Sequence, residues 1–409
     1  MKKHITMLII AAGLLIPLFE NCPLMAEENS EDIHIVNTLV NELKSGSLYG
    51  AIGIYHEHVD NKKDNFVEDG EIIDLNDTDL IVPFFQVNYT TAQYSDFSIG
   101  AGLTGYTHIV DDSNSDDSIE DGADIVVHKL YLGYEISRTS VKIGRQDLEE
   151  TLFLSDYYEA LSLASEEIKN LFLILAIVDK VAESDIDKFI EFQNINRGDQ
   201  SIDDYLYAAE ITWTAVPEAV SATVYYYQQD KLYDLYGAHT EFMYETGKIG
   251  FGLHMDAYAT DEDSRNGLRD SEDEVKDSDI YHINPFIEMS DFTLAGGYME
   301  AGHDVGAREG GLIDDYFNPF NEGDKVYEPD AETWYGAMSY EFDDFYGEVV
   351  YGRTDYISEG ASLTEEEVNL NAGLKFLDHF RLEVEFSIVD SESAEGDFNI
   401  LEMELTYAF

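Results

Sequence analysis

Apolar and polar residues alternate at period two along most of this chain. In 398–409, Leu401, Met403, Leu405, Tyr407 and Phe409 fall on one face, with Glu402, Glu404 and Thr406 on the other. The stretch 379–390 sets Phe380, Leu382, Val384, Phe386 and Ile388 against Arg381, Glu383, Glu385 and Ser387. In 366–377, Val368, Leu370, Ala372, Leu374 and Phe376 oppose Glu367, Asn369, Asn371 and Lys375. This pattern predicts half-buried strands of roughly ten residues. It predicts strands near 47–58, 80–91, 94–109, 124–136, 139–146, 168–180, 188–196, 204–214 and 218–230. A further set is predicted near 232–245, 247–259, 280–288, 291–301, 332–342, 344–355, 366–377, 379–390 and 398–409.

The connections alternate between short and long. SRTS, VPEA, ETGK, MSD, FDD and LDH are short; 59–79, 110–123, 147–167, 260–279 and 302–331 are long. A β-sandwich shows the same period, so alternation alone leaves sandwich and membrane barrel open. Strand ends rich in Tyr and Phe, an N-terminal export signal and the short-long rhythm of the connections favour the membrane. The fold class expected is all-β: a transmembrane antiparallel β-barrel with short periplasmic turns and long acidic extracellular loops. A single-chain barrel of this kind has an even strand count. Closure therefore supports the weakly patterned strand at 188–196 and a count of eighteen, with sixteen as the alternative.

Residues 1–26 read as a secretory signal peptide: Lys2 and Lys3, then an apolar run from Ile5 to Phe19, then a cleavage site after Ala26. The one Cys, Cys22, lies within it, so the mature chain, 27–409, has neither a disulfide nor a Cys-based zinc site. Ile35, Leu39, Val40 and Leu43 predict a short helical segment at about 33–45, before Gly46. No later apolar run approaches the roughly 20 residues of a spanning helix. A barrel of 22 strands with a plug does not fit this length.

Charge narrows the function. With 23 Lys+Arg against 85 Asp+Glu the formal net charge is −62, which excludes an ordinary nucleic-acid binder. The chain is nonetheless 44% hydrophobic and 13% aromatic, unlike a disordered acidic tail. Much of the acid lies in loops, Asp111–Asp124 and Asp261–Asp279. These are expected to stay hydrated, with a cation-collecting mouth, or weakly bound divalent cations bridging to the anionic headgroups of lipopolysaccharide, as the functional alternatives. No motif of a nucleotide-binding, zinc-protease or serine-hydrolase site occurs. His56 and His58 share a strand face with Asp60 nearby, a pattern that a strand end at the pore mouth explains as well as a metal does. No catalytic residue, cofactor or metal ligand is assigned.

Strand parity supplies pore-lining candidates. Lys129 and Glu135 lie opposite Val126, Leu130 and Leu132; Lys142 and Gln146 lie opposite Val141 and Ile143. Arg145 has the outward parity and reaches the pore only at a bulge or beyond the bilayer. Glu367, Lys375, Arg381, Glu383, Glu385, Glu402 and Glu404 complete the set.

Three segments carry a family likeness. NTLVNELKSGSLYGAIGIYHEH resembles the opening of the OprD-type outer-membrane porins. VKIGRQDLEETLFLSDYYEAL, from Gly144 to Asp156 above all, resembles the family segment that leads into its constriction loop. The aromatic strand closing on Phe409 resembles the signal read by the barrel-assembly machinery. The resemblance implies an 18-stranded diffusion channel, monomeric or loosely trimeric, in the outer membrane of a Gram-negative bacterium. It also implies that the loop at 147–167 folds into the pore, and that carboxylates or amino acids pass along a ladder of basic residues. This chain departs there: it has only eight Arg, its inward set is mostly Glu, and Leu152 stands where the family has Pro. The expected function is a porin for small hydrophilic solutes and ions, with cations preferred. The alternatives are a carboxylate or amino-acid channel, as the family resemblance implies, and an adhesive or structural barrel whose loops bind ions. An enzyme on a barrel scaffold lacks a site.

Overall fold

The computed structural model describes residues 45–62, 65–68, 71–74, 77–111, 125–182, 192–194, 205–217, 219–229, 233–262, 278–303, 317–323, 325–358, 360–393 and 396–409. The expected signal peptide and nearly all of the helical segment at 33–45 lie outside these residues.

From Ser47 onward the described residues form a closed antiparallel sheet of twenty strands, two of which are the two-residue pieces Val110–Asp111 and Gln193–Asn194, and a separate two-stranded hairpin, Asn65–Glu68 with Glu71–Asp74. Eighteen long strands remain. The first six are β1 (Ser47–Asn61), β2 (Thr78–Thr90), β3 (Phe97–Tyr106), β4 (Ile125–Ile136), β5 (Thr139–Asp147) and β6 (Tyr157–Ser165). Next come β7 (Leu171–Ala182), β8 (Leu206–Val216), β9 (Val220–Gln229), β10 (Tyr233–Thr246), β11 (Ile249–Glu262) and β12 (Ser278–Met289). The circle is completed by β13 (Phe292–Ala301), β14 (Glu332–Phe342), β15 (Phe345–Ser358), β16 (Ala361–Phe376), β17 (Phe380–Ser391) and β18 (Phe398–Ala408). β1 pairs with β2 on one side and with β18 on the other, so the sheet has no edge. At the seam, Gly50 and Phe409 exchange two backbone hydrogen bonds, each 3.0 Å.

The expected strand count holds, but one strand is displaced. Tyr157–Ser165 is a strand, so the inward loop spans 148–156 rather than 147–167; of the expected strand at 188–196 the described residues are 192–194, and Gln193–Asn194 form a two-residue bridge to β7. The sequence YYEALSLAS hides its alternation. Its inward residues Ala160 and Ser162 are small, and Glu159 stands among outward apolar neighbours. The turns also alternate less strictly than expected: β9–β10 and β15–β16 are joined by only 230–232 and 359–360. Tight turns at the other end use left-handed residues such as Gly247 (φ 68°) and Asp343 (φ 50°), as two-residue hairpins require.

The outer wall is apolar. Val224, Leu294 and Met338 each expose about half their surface, and Trp213, Tyr244, Tyr281, Trp334 and Tyr351 stand exposed toward the two rims. Such a continuous band with aromatic girdles is built to face lipid.

The barrel also has an apolar interior along part of its circumference. Leu148, Phe153 and Leu154 from the loop after β5, and Phe317, Phe320, Val326 and Tyr327 from the segment before β14, are buried among inward residues such as Tyr225, Tyr227, Tyr258 and Val350. Phe153 meets Phe317 at a ring-centroid distance of 5.8 Å. Two segments thus fold inward and fill the lumen against β6–β15. Only the first was expected, because 302–331 reads as one more long acidic loop.

Candidate pore lining

On β17 and β18 the outward positions carry Leu382, Val384, Leu401 and Met403, which leaves the glutamates between them facing the lumen. Pairing aligns these acids into a transverse row. Glu348 of β15 faces Asn371 of β16, Asn371 faces Glu385, Glu385 faces Glu402, and Glu402 faces Glu57 of β1. One step toward the short-turn end, Glu383 faces Glu404 and Glu404 faces Tyr55. Directly opposed like charges on neighbouring strands destabilise a sheet. Polar neighbours offset part of this cost: the Tyr55 hydroxyl lies within hydrogen-bond reach of Glu402 and of Glu57 Oε2 (3.1 Å), and Asn321 Nδ2 donates to Glu385 at 3.0 Å.

The inward segment 317–323 closes over this wall. Asn321 also donates to Asn371 at 2.9 Å, and the Glu322 amide donates to Glu367 at 3.0 Å. Glu322 itself sits among the acids. Burial, and then the charges of Glu402, Glu367, Glu57 and Glu385, push its carboxyl up to about 8.

Three of the five basic candidates lie on β4 and β5, four to five strands round the barrel from β18, and most of the five are held by acids. Lys129 is ion-paired with Asp147 and lies over the Tyr157 ring at 5.5 Å. It faces the lumen on the parity set by the outward Leu130 and Leu132, and a register shift between β3 and β4 just before it turns Val126 inward, contrary to its expected outward place. Lys142 lies over the Tyr131 ring. Arg145 follows Gly144, whose φ of 123° would be strained for any other residue and whose added Cβ would stand 2.3 Å from the Leu130 carbonyl. Arg145 keeps its outward parity, pairing with Glu159 at 2.9 Å and covering the Phe192 ring; Lys180 reaches the same carboxylate at 3.4 Å. Gln146 is fully buried, donating to the Ala160 carbonyl at 2.9 Å. Glu135, Lys375 and Arg381 lie near the short-turn rim; Glu135 accepts from Gln93, and Arg381 pairs with Glu383 at 2.5 Å. Glu367 is 1% exposed and lies beneath the inward segment rather than beside water.

Parity reasoning missed Glu57, Glu348, Asn321 and Glu322. It also missed a lumenal network on β10–β14, where Asp256 takes His239 Nδ1 at 2.5 Å and His282 Nδ1 at 3.2 Å, and His282 Nε2 meets Tyr335 at 2.9 Å. The histidines alternate on strand faces in the sequence, but their convergence depends on register. Among the described residues no three acid, imidazole or thiol side chains are placed to hold a metal ion.

No protein-family model and no curated protein matches this sequence. Solved structures do. Pseudomonas aeruginosa OpdK, solved with vanillate, aligns at a TM-score of 0.74 and 16% identity, covering 90% of this chain and 99% of that one. Acinetobacter baumannii OccAB4 aligns at 0.74 and 15% identity, over 89% of this chain and 98% of that one. The fold is that of the OprD/Occ porins. Pseudomonas aeruginosa OccK8 (OprE) extends the likeness at 0.72 and 12% identity, over 90% of this chain and 98% of its own. At these identities the likeness lies in the barrel, and the lining residues are this chain's own.

Proposed function

We propose that the chain forms an outer-membrane porin, a water-filled channel through which small hydrophilic solutes and ions diffuse, with cations preferred. The apolar outer band and the closed even-stranded sheet support the location in a lipid bilayer. The observation that carries the charge preference is the row Glu348, Glu385, Glu402 and Glu57 on one wall of the lumen. On β4 and β5 Lys129 is ion-paired with Asp147 and Lys142 lies over the Tyr131 ring, while Arg145 faces outward. Rings of one charge within a pore select the sign of the permeating ion, and acidic mouths raise the entry rate of cations. The vanillate held by OpdK is a carboxylate, a class that this row would repel. Recording from purified, refolded protein in a planar bilayer tests the reading. It should show discrete channels whose reversal potential across a salt gradient is cation-selective. An anion-selective potential would refute the preference, and a folded protein without channels would refute the porin.

A further inference from the structure

Each inward segment is held at its foot by one buried glutamate. In the loop after β5, the Leu152 amide donates to Glu210 Oε1 at 2.7 Å, and Glu210, 3% exposed, also accepts from the Tyr227 hydroxyl. In the segment before β14, the Glu322 amide donates to Glu367 Oε1 at 3.0 Å. Asn369 Nδ2 also donates to that Oε1, and to Ser387 at 3.0 Å, while Glu367 Oε2 is buried with no hydrogen-bond partner among the described residues. The fit is close: a Cβ on Gly323 would stand 2.5 Å from Glu367 Oε2. Neither glutamate borders the open lumen, so neither is placed to touch a passing solute.

We propose that Glu210 and Glu367 are positioning residues that set the size limit of the pore by pinning the two inward segments to opposite parts of the wall. This rests on the channel reading above. Loop backbone turned into a lumen leaves amides that need acceptors. A carboxylate can accept several donors at once, and charge-assisted bonds in a dry site are the strong ones. The two pins act together, because Phe153 of one segment packs on Phe317 of the other. Release of either foot therefore loosens the shared contact and widens the passage. A Gln at either position keeps the size and one accepting oxygen, on which the donors converge, but removes the charge that strengthens those bonds. Loss of a buried charge-assisted hydrogen bond favours the released loop by roughly 10–100-fold over wild type.

Liposome swelling with neutral mono-, di- and trisaccharides reads pore size without reading charge. Full-length E210Q, E367Q and G323A proteins are compared with wild type after each is shown to be folded by its heat-modifiable mobility. G323A retains every carboxylate and acts only through the crowded contact, while E367D, one methylene shorter, should restore part of the wild-type limit. The expected result is a higher ratio of trisaccharide to monosaccharide entry in E210Q, E367Q and G323A, with longer-lived large-conductance excursions in single-channel records. Wild-type vesicles that swell, beside variants with an unchanged ratio and unchanged records, would overturn the pinning role and leave the channel standing. Wild-type vesicles impermeable to every sugar and to ions would overturn the channel reading and the pinning role with it.

Discussion

Changing Glu57, Glu385 and Glu402 together to Gln removes three charges from the lumenal row while leaving side-chain volume nearly constant. Residues directly opposed on neighbouring strands stand about 5 Å apart, so an ion crossing the row passes within about 5 Å of more than one carboxylate. At that distance one charge attracts a monovalent cation by about 0.8 kcal/mol at the dielectric constant of water. Screening over about 10 Å at 0.1 M salt leaves about 0.5 kcal/mol of this, and screening over about 3 Å at 1 M leaves about 0.2 kcal/mol. Three charges then enrich cations at the row about 12-fold at 0.1 M and about 2-fold at 1 M, since 1.4 kcal/mol is a factor of ten. The triple variant should lose most of the cation preference in dilute salt and little in molar salt. Reversal potentials across a KCl gradient, taken at low and at high mean concentration, measure both. Neutralising Asp111, Asp112, Asp116 and Asp117, in the loop after β3, should have the smaller effect. A triple variant with the wild-type reversal potential in dilute salt would show that the row does not choose the ion.

Three further outcomes follow from the structure. Because burial and its acidic neighbours hold Glu322 protonated up to about pH 8, the constriction gains a negative charge only above that value; cation selectivity should rise as pH passes through about 8, and E322Q should flatten that rise in the same bilayer recordings. Phe153→Ala removes the ring that links the two inward segments, at a cost near the 3–5 kcal/mol of buried Phe truncations; conductance should rise while heat-modifiable mobility shows the barrel intact, and an unchanged conductance would place the limit elsewhere. Deleting Phe409 removes both backbone bonds it exchanges with Gly50 at the seam; the folded fraction in outer-membrane preparations should fall, and normal recovery would make that contact dispensable.

Strand number, closure and the inward direction of Glu383, Glu385, Glu402 and Glu404 were legible in the sequence because period two assigns every second residue to one face. The register that lines Glu57 up with Glu402 is not a property of any one strand, and so the row as a row was hidden. Bulges erased parity locally. One irregularity between β3 and β4 turned Val126 and Lys129 to the same side. Tyr157–Ser165 hides its alternation because its inward face, Tyr158, Ala160 and Ser162, packs against filled lumen and carries no charge, while the charged Glu159 stands on the outward face. The segment around Phe317 carried a signal of its own, with Phe317, Phe320, Val326 and Tyr327 apolar within an acidic stretch. Acidity, taken over the whole of 302–331, concealed it.

The acidic row crosses the seam, where β18 meets β1 and Glu402 comes to face Glu57. Those two residues are 345 positions apart in the chain, so their charges meet only when the last strand docks on the first. The element that would sort ions is thus absent from every partly built sheet and complete at one moment. The same juxtaposition makes docking an approach of like charges, which dissolved salt shields. Ionic strength is therefore a kinetic variable in the final step of assembly as well as a determinant of permeation, and a substitution made to alter one will alter the other.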